Sequence, residues 1–139
     1  MTSKIFFDAN ILIYSVDTRD PEKQEKARRV TRLANKQRNG VISTQVLQEY
    51  IAVDLKKFRR DSLIVKQLCR EWQSCFEVIL IRPNIIEDAI EVSAIHQFSF
   101  WDSLIISSAL AARCGILMTE DLNHGQTIQG LTIVNPFKE

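Results

Sequence analysis

Short apolar runs of four to six residues recur between longer helix-like stretches, and this alternation limits the chain's folding options more than any other feature. "KIFFD", "VIST", "FEVILI", "ILMT" and "LTIV" read as strands. Between them, "ANILIYSV", "PEKQEKARRVTRLANKQRNG", "QVLQEYIAVDLKKF", "SLIVKQLCREWQSC", "NIIEDAIEVSAIHQ" and "WDSLIISSALAARCG" read as helices. Strands that are apolar throughout, rather than on alternate residues, belong to a sheet covered on both faces. Helices alternating with such strands predict an α/β protein with a central, mainly parallel sheet. Asn10 is a possible cap of the first helix. Pro21 and Gly40 bracket the second, and all four glycines are expected at element ends. Asn84 and Glu87 have capping-box spacing. No repeat or Pro/Gly/Ser-rich linker divides the chain, so residues 1–139 are expected to form one domain.

Composition excludes several classes. Hydrophobic residues make up 45% and charged residues 25%, the balance of a globular protein. No apolar run reaches the ~18 residues of a membrane span. The opening "MTSKIFFDANILIY" is interrupted by Asp8 and Asn10 and lacks a small-residue cleavage site, so no signal peptide is expected. Cys69, Cys75 and Cys114 are odd in number and not spaced as metal ligands, which predicts reduced, mostly buried thiols in a cytoplasmic protein. The net charge of +1 conceals +6 on residues 1–69 and −5 on residues 70–139. That split suggests an anion-seeking face beside a cation-seeking pocket, or two solvated helices.

In open parallel sheets, ligands bind beyond the carboxyl ends of the strands. Asp8 follows the first strand, and Asp121 follows "ILMT" after Thr119 and Glu120. Glu49 lies in the first turns of the helix after "VIST", beside an apolar arc of Val46, Leu47, Tyr50 and Ile51. Asp102 stands at the start of an almost wholly apolar, hence buried, helix. Singly, each acid has an ordinary use as cap, turn former or solvated residue. Together, four acids from distant segments converge on one sheet edge, with no Lys or Arg within three residues of any of them. Such a group calls for a cation, and oxygen-only donors suit Mg²⁺ or Mn²⁺. An ion held this way activates water and stabilises a phosphodiester under in-line attack. Glu120 is expected to point outward, and Thr119 to offer its hydroxyl to a water or ligand.

The segments "FFDANILIYSVD", "STQVLQEY", "FSFWDSLIISSAL" and "MTEDLNHGQTIQGLTIVNPF" together resemble the PIN-domain ribonucleases, in particular the VapC-type toxins of toxin–antitoxin pairs. The resemblance covers essentially the whole chain. It implies a three-layer α/β/α fold and endonucleolytic RNA cleavage with Mg²⁺ or Mn²⁺. It implies Asp8, Asp102 and Asp121 as metal ligands, and Asn10 and Thr119 as supports. Glu49 would bind the metal directly or through water, or position the attacking water. An antitoxin partner and a homodimer are further implications. The basic stretches "KARRVTR" and "KKFRR" then offer Arg28, Arg29, Arg32, Lys56 and Lys57 as phosphate contacts.

Other features are ambiguous or adverse to rival readings. Asp54 falls within the apolar arc of its helix, where it faces a subunit or antitoxin surface or marks a bend. His124 and His96 are expected to be structural, and Trp72 and Trp101 to lie in the core or a dimer interface. The serines of "ISSAL" lack a nucleophile elbow. A phosphate-accepting switch needs a Lys near the last strands, and none occurs between Arg113 and Lys138. A dinucleotide site lacks its glycine signature. A PIN-like binding module without catalysis is the remaining alternative.

Overall fold

The structure, a computed structural model, describes residues 3–138. In chain order the elements are β1 (Ile5–Phe7), α1 (Ala9–Val16), α2 (Pro21–Gln37), β2 (Gly40–Ser43), α3 (Thr44–Lys56), α4 (Ser62–Cys75), β3 (Glu77–Ile79), α5 (Pro83–His96), α6 (Phe100–Ala111), β4 (Ile116–Met118), β5 (Thr127–Ile128) and β6 (Leu131–Val134). The sheet runs β3-β2-β1-β4-β6-β5. Every pairing is parallel except β5 with β6. The chain thus steps outward from β1 through β2 to β3, then crosses back to lay β4 on the other side of β1. Right-handed crossovers place helices on opposite faces when the direction of travel reverses. Accordingly α1 to α4 pack among themselves, while α5 and α6 pack as a separate pair.

Burial follows from that coverage. Consecutive residues Phe6 and Phe7 point to opposite faces of β1, yet both are fully buried. Ile42, Leu117 and Ile133 extend the same core along β2, β4 and β6. Helix α6 is enclosed, with every residue from Ser103 to Ala109 buried, because it is apolar or small on all sides.

Several local expectations change. Asp8, not Asn10, caps α1, accepting from the Ala9 N–H at 2.7 Å. Arg38, in the left-handed region at φ 55°, ends α2, and Gly40 opens β2 instead of closing the helix. A Cβ on Gly40 would lie 2.5 Å from the Phe76 ring, so close packing explains the glycine. Helix α5 starts on Pro83, and its cap, Arg82, makes no side-chain cap bond; the Asn84–Glu87 spacing therefore falls inside the helix and forms no capping box. The two-residue β5 is too short and polar to read as a strand from sequence. Asp54 faces neither solvent nor a partner surface. It is fully buried and pairs with Arg60 Nε at 3.2 Å, while Arg60 Nη2 donates to the Val16 carbonyl at 2.7 Å. Trp101 is 64% exposed and so is not a core residue. Among the described residues, no helix is long and apolar enough to cross a membrane.

Candidate active site

The order of strand addition reverses between β1 and β4, and the crevice at such a switch point is where an open α/β sheet receives ligands. Phe7 pairs with Met118, so the next residues, Asp8 and Thr119, emerge side by side. The Asp8 N–H donates to the Met118 carbonyl at 3.0 Å, and the Thr119 N–H to the Val134 carbonyl at 3.0 Å, fixing both strand ends. Thr119 Oγ1 donates to Asp8 Oδ2 at 2.8 Å. Its hydroxyl is thus used within the protein, not offered to a ligand as expected. The same oxygen accepts from the Asp121 N–H at 3.2 Å, which folds the chain after β4 and turns Asp121 back toward the crevice. Asn10 Nδ2 donates to Asp121 Oδ2 at 2.9 Å. Asn10 and Thr119 therefore hold Asp8 and Asp121 directly.

Asp102 lies in the first turn of α6, where the Ser99 hydroxyl caps the helix and accepts from the Asp102 N–H at 3.1 Å. Glu49 projects from α3 and is exposed, as is Asp121; Asp102 is half-buried and Asp8 buried. Three of the acids, Asp8, Glu49 and Asp102, are displaced upward from the ordinary carboxyl range. Burial, opposed by the bonds from Thr119 and Ala9 and reinforced by the charges of Asp121 and Asp102, pushes the Asp8 carboxyl up to about 6. Crowding of protein over the Glu49 carboxyl, followed by the charge of Asp8, raises it to about 7; a Gln45 bond opposes the rise, and Asp102 and Asp121 add to it. Asp102 is raised too, first by desolvation and then by Asp121, against its bond to Ser99.

This is a set of oxygen donors in which Asp8, Glu49 and Asp102 are raised first by desolvation and then by neighbouring carboxylates, and its chemistry fits a hard divalent cation. Ionised carboxylates keep spare lone pairs after the bonds described, so Asp8 and Asp121 retain acceptor capacity. Among the described residues no three His, Cys, Asp or Glu side chains form a preassembled metal cage.

Residues not anticipated from sequence complete the site. Gln45, 4% exposed, donates to the Trp101 carbonyl at 3.2 Å and so ties the Glu49 helix to the start of the Asp102 helix. Glu120 does not point freely outward: it pairs with Lys23 of α2 and accepts from Tyr14 Oη at 3.0 Å. Lys23 was invisible to a local scan because 97 residues separate it from Glu120. His124 is structural, its Nδ1 accepting from the Asn135 N–H at 2.9 Å.

The structure separates the basic candidates from the acids. Arg28 and Arg32 line a groove of about 360 Å³ with Leu68, Trp72 and Phe76. Arg28 Nε donates to the Ser15 carbonyl at 2.8 Å, and Arg29 pairs with Glu25. Five and nine residues beyond Lys23, Arg28 and Arg32 stand roughly 7 and 13 Å farther along α2. Lys56 and Lys57 are exposed at the far end of α3 from Ser43, its cap.

A mainly parallel sheet covered on both faces, with carboxylates gathered at its switch point, defines an acid-lined α/β protein. The PIN domain pattern matches residues 5–127, and the chain belongs to the PIN-domain family. Solved structures share the fold. A toxin–antitoxin complex from Klebsiella pneumoniae is 23% identical, with a TM-score of 0.68 over 96% of this chain and 98% of that one. A sarcin–ricin loop-cleaving VapC toxin of Mycobacterium tuberculosis is 19% identical, with a TM-score of 0.66 over 82% and 87%. A DNA-bound VapBC complex from Salmonella typhimurium is 19% identical, with a TM-score of 0.67 over 95% and 97%. No curated protein sequence matches the chain.

Proposed function

We propose that the chain is a divalent-metal-dependent endoribonuclease and the toxin of a toxin–antitoxin pair. The observation that carries this reading is the convergence of Asp8, Glu49, Asp102 and Asp121, from four separate segments, on the β1/β4 switch point of a PIN fold. Mg²⁺ or Mn²⁺, held by Asp8, Asp102 and Asp121, would polarise a phosphodiester and lower the pKa of water. Thr119 holds the Asp8 carboxylate and Asn10 that of Asp121, and the acids would draw together around the ion when it binds. Glu49, with a carboxyl near neutrality, is suited to accept the proton of the attacking water. A cognate antitoxin and a homodimer are the proposed protein partners; similarity to chains solved within VapBC complexes supports the antitoxin.

The test is cleavage of RNA by the purified chain with Mn²⁺ or Mg²⁺, beside Asp102→Asn purified identically. Cleavage by wild type alone, abolished by chelation, supports the reading. Equal cleavage by both samples sinks it as contamination. Silence from wild type on every RNA tried favours a PIN-like binding module.

A further inference from the structure

Next to the carboxylates stands a cation whose surroundings are more elaborate than a surface ion pair needs. The Lys23 ammonium pairs with Glu120 and lies 3.3 Å from Tyr14 Oη. It sits 4.6 Å from the centre of the Tyr14 ring and 5.3 Å from that of Phe137. The two rings pack edge to face, 5.0 Å apart, and form a seat beneath it. Asn10 and Tyr14 are one turn apart on the same face of α1. Asn10 holds Asp121, and Tyr14 holds Glu120. Adjacent turns of α1 thus hold Asp121 of the site and Glu120, the partner of Lys23.

A partly exposed Lys–Glu pair contributes little to stability, so bracing a loop is a poor account of this arrangement. A compact ammonium on a flexible stem, kept desolvated on one side by two rings, is well suited to a phosphate oxygen. Glu120 supplies the anionic oxygens while no nucleic acid is bound. A backbone phosphate offers the same chemistry and competes for the same ammonium. The partly exposed rings of Tyr14 and Phe137 give an adjoining base a surface to stack on.

We propose that Lys23 is the contact for a substrate phosphate neighbouring the scissile bond, held in reserve by Glu120 and transferred to the backbone of single-stranded RNA on binding. This rests on the ribonuclease reading. The experiment measures binding of an unstructured, fluorescein-labelled RNA oligonucleotide to the full chain in EDTA, by anisotropy, over a salt series. Lys23→Met should weaken binding roughly five-fold. It should also reduce the steepness of log K against log[salt] by about 0.7, the share of one single-strand phosphate contact. Lys23→Arg should restore the slope. Glu120→Gln, which frees the ammonium, should tighten binding. A slope unchanged in Lys23→Met, or weakened binding in Glu120→Gln, would overturn the proposal and leave the pair as a tether. If wild type fails to bind RNA in EDTA, or if it binds and Lys23→Met matches it, this proposal falls, while the ribonuclease reading stands or falls on the cleavage assay with Mn²⁺ or Mg²⁺.

Discussion

Replacing Asp8 with Asn should make the metal-free protein more stable, although it removes a residue at the centre of the site. The Asp8 carboxyl stands at about 6 when folded against 3.8 ordinarily, chiefly because it is buried. The folded state therefore binds this proton more tightly than the unfolded chain does. Below about pH 4 both states hold the proton and there is no penalty. As pH rises toward 6 the folded state loses stability, and above that the cost is complete, ~3 kcal/mol for a difference of about two pH units at 1.36 kcal/mol each. Asn carries no charge and escapes the penalty. Its amide oxygen can still accept from the Ala9 N–H, but the Thr119 hydroxyl loses a charged acceptor, at about 1 kcal/mol. The net gain at pH 7.5 is about 2 kcal/mol, or roughly 6 °C in Tm for a chain of this size. Thermal unfolding in EDTA, followed by circular dichroism at pH 7.5 and at pH 4, measures it. The gain should be absent or reversed at pH 4. Destabilisation at pH 7.5, or an equal gain at both pH values, would refute the assignment of a buried, repelled charge to this position.

Three further outcomes are expected. Saturating Mn²⁺, at about 100 times its Kd, should stabilise wild type by ~2.7 kcal/mol in calorimetry and leave Asp102→Asn nearly unmoved; equal shifts would place the ion elsewhere. Arg60→Met should cost about 3 kcal/mol in urea unfolding, because it leaves the buried Asp54 side chain without its ion-pair partner and removes the bond to the Val16 carbonyl; a change under ~1 kcal/mol would refute a stabilising role for this pair. Gly40→Ala should cost about 1–3 kcal/mol, since Phe76 is buried and packs at 5.4 Å against Phe7, leaving its ring little room to retreat; an unchanged midpoint would mean that the ring yields freely.

The sheet and its acidic edge were legible because both depend on local patterns. Apolar runs identify strands, and an acid just after such a run falls at the sheet's edge whatever the tertiary detail. Asp8 and Asp121 were placed on that ground, whereas Asn10 and Thr119 entered as their supports through the family resemblance. What stayed hidden depends on contacts between distant segments. Lys23 meets Glu120 through the packing of α1 and α2, and no spacing rule spans that separation. Asp54 was expected at a partner surface or a bend because its partner, Arg60, lies six residues on, past a chain reversal that puts Arg59 at φ 52°. The Asn84–Glu87 pattern misled because Pro83 already fits the first position of a helix and moves the start upstream. β5 has two residues, too few for any periodicity.

The sheet's order also sets a clock. The bond from Thr119 to Asp8 joins residues 111 apart, because β4 closes the crevice that β1 opens. A ribosome extending the chain at about 5–20 residues per second needs roughly ten seconds between the two. Throughout that interval the nascent chain carries Asp8, joined in turn by Glu49 and Asp102, without Asp121 beside them. On the proposed ribonuclease reading, a chain that would cut RNA is thereby kept incomplete while it is attached to an RNA machine, and its acids come together only near the end of synthesis.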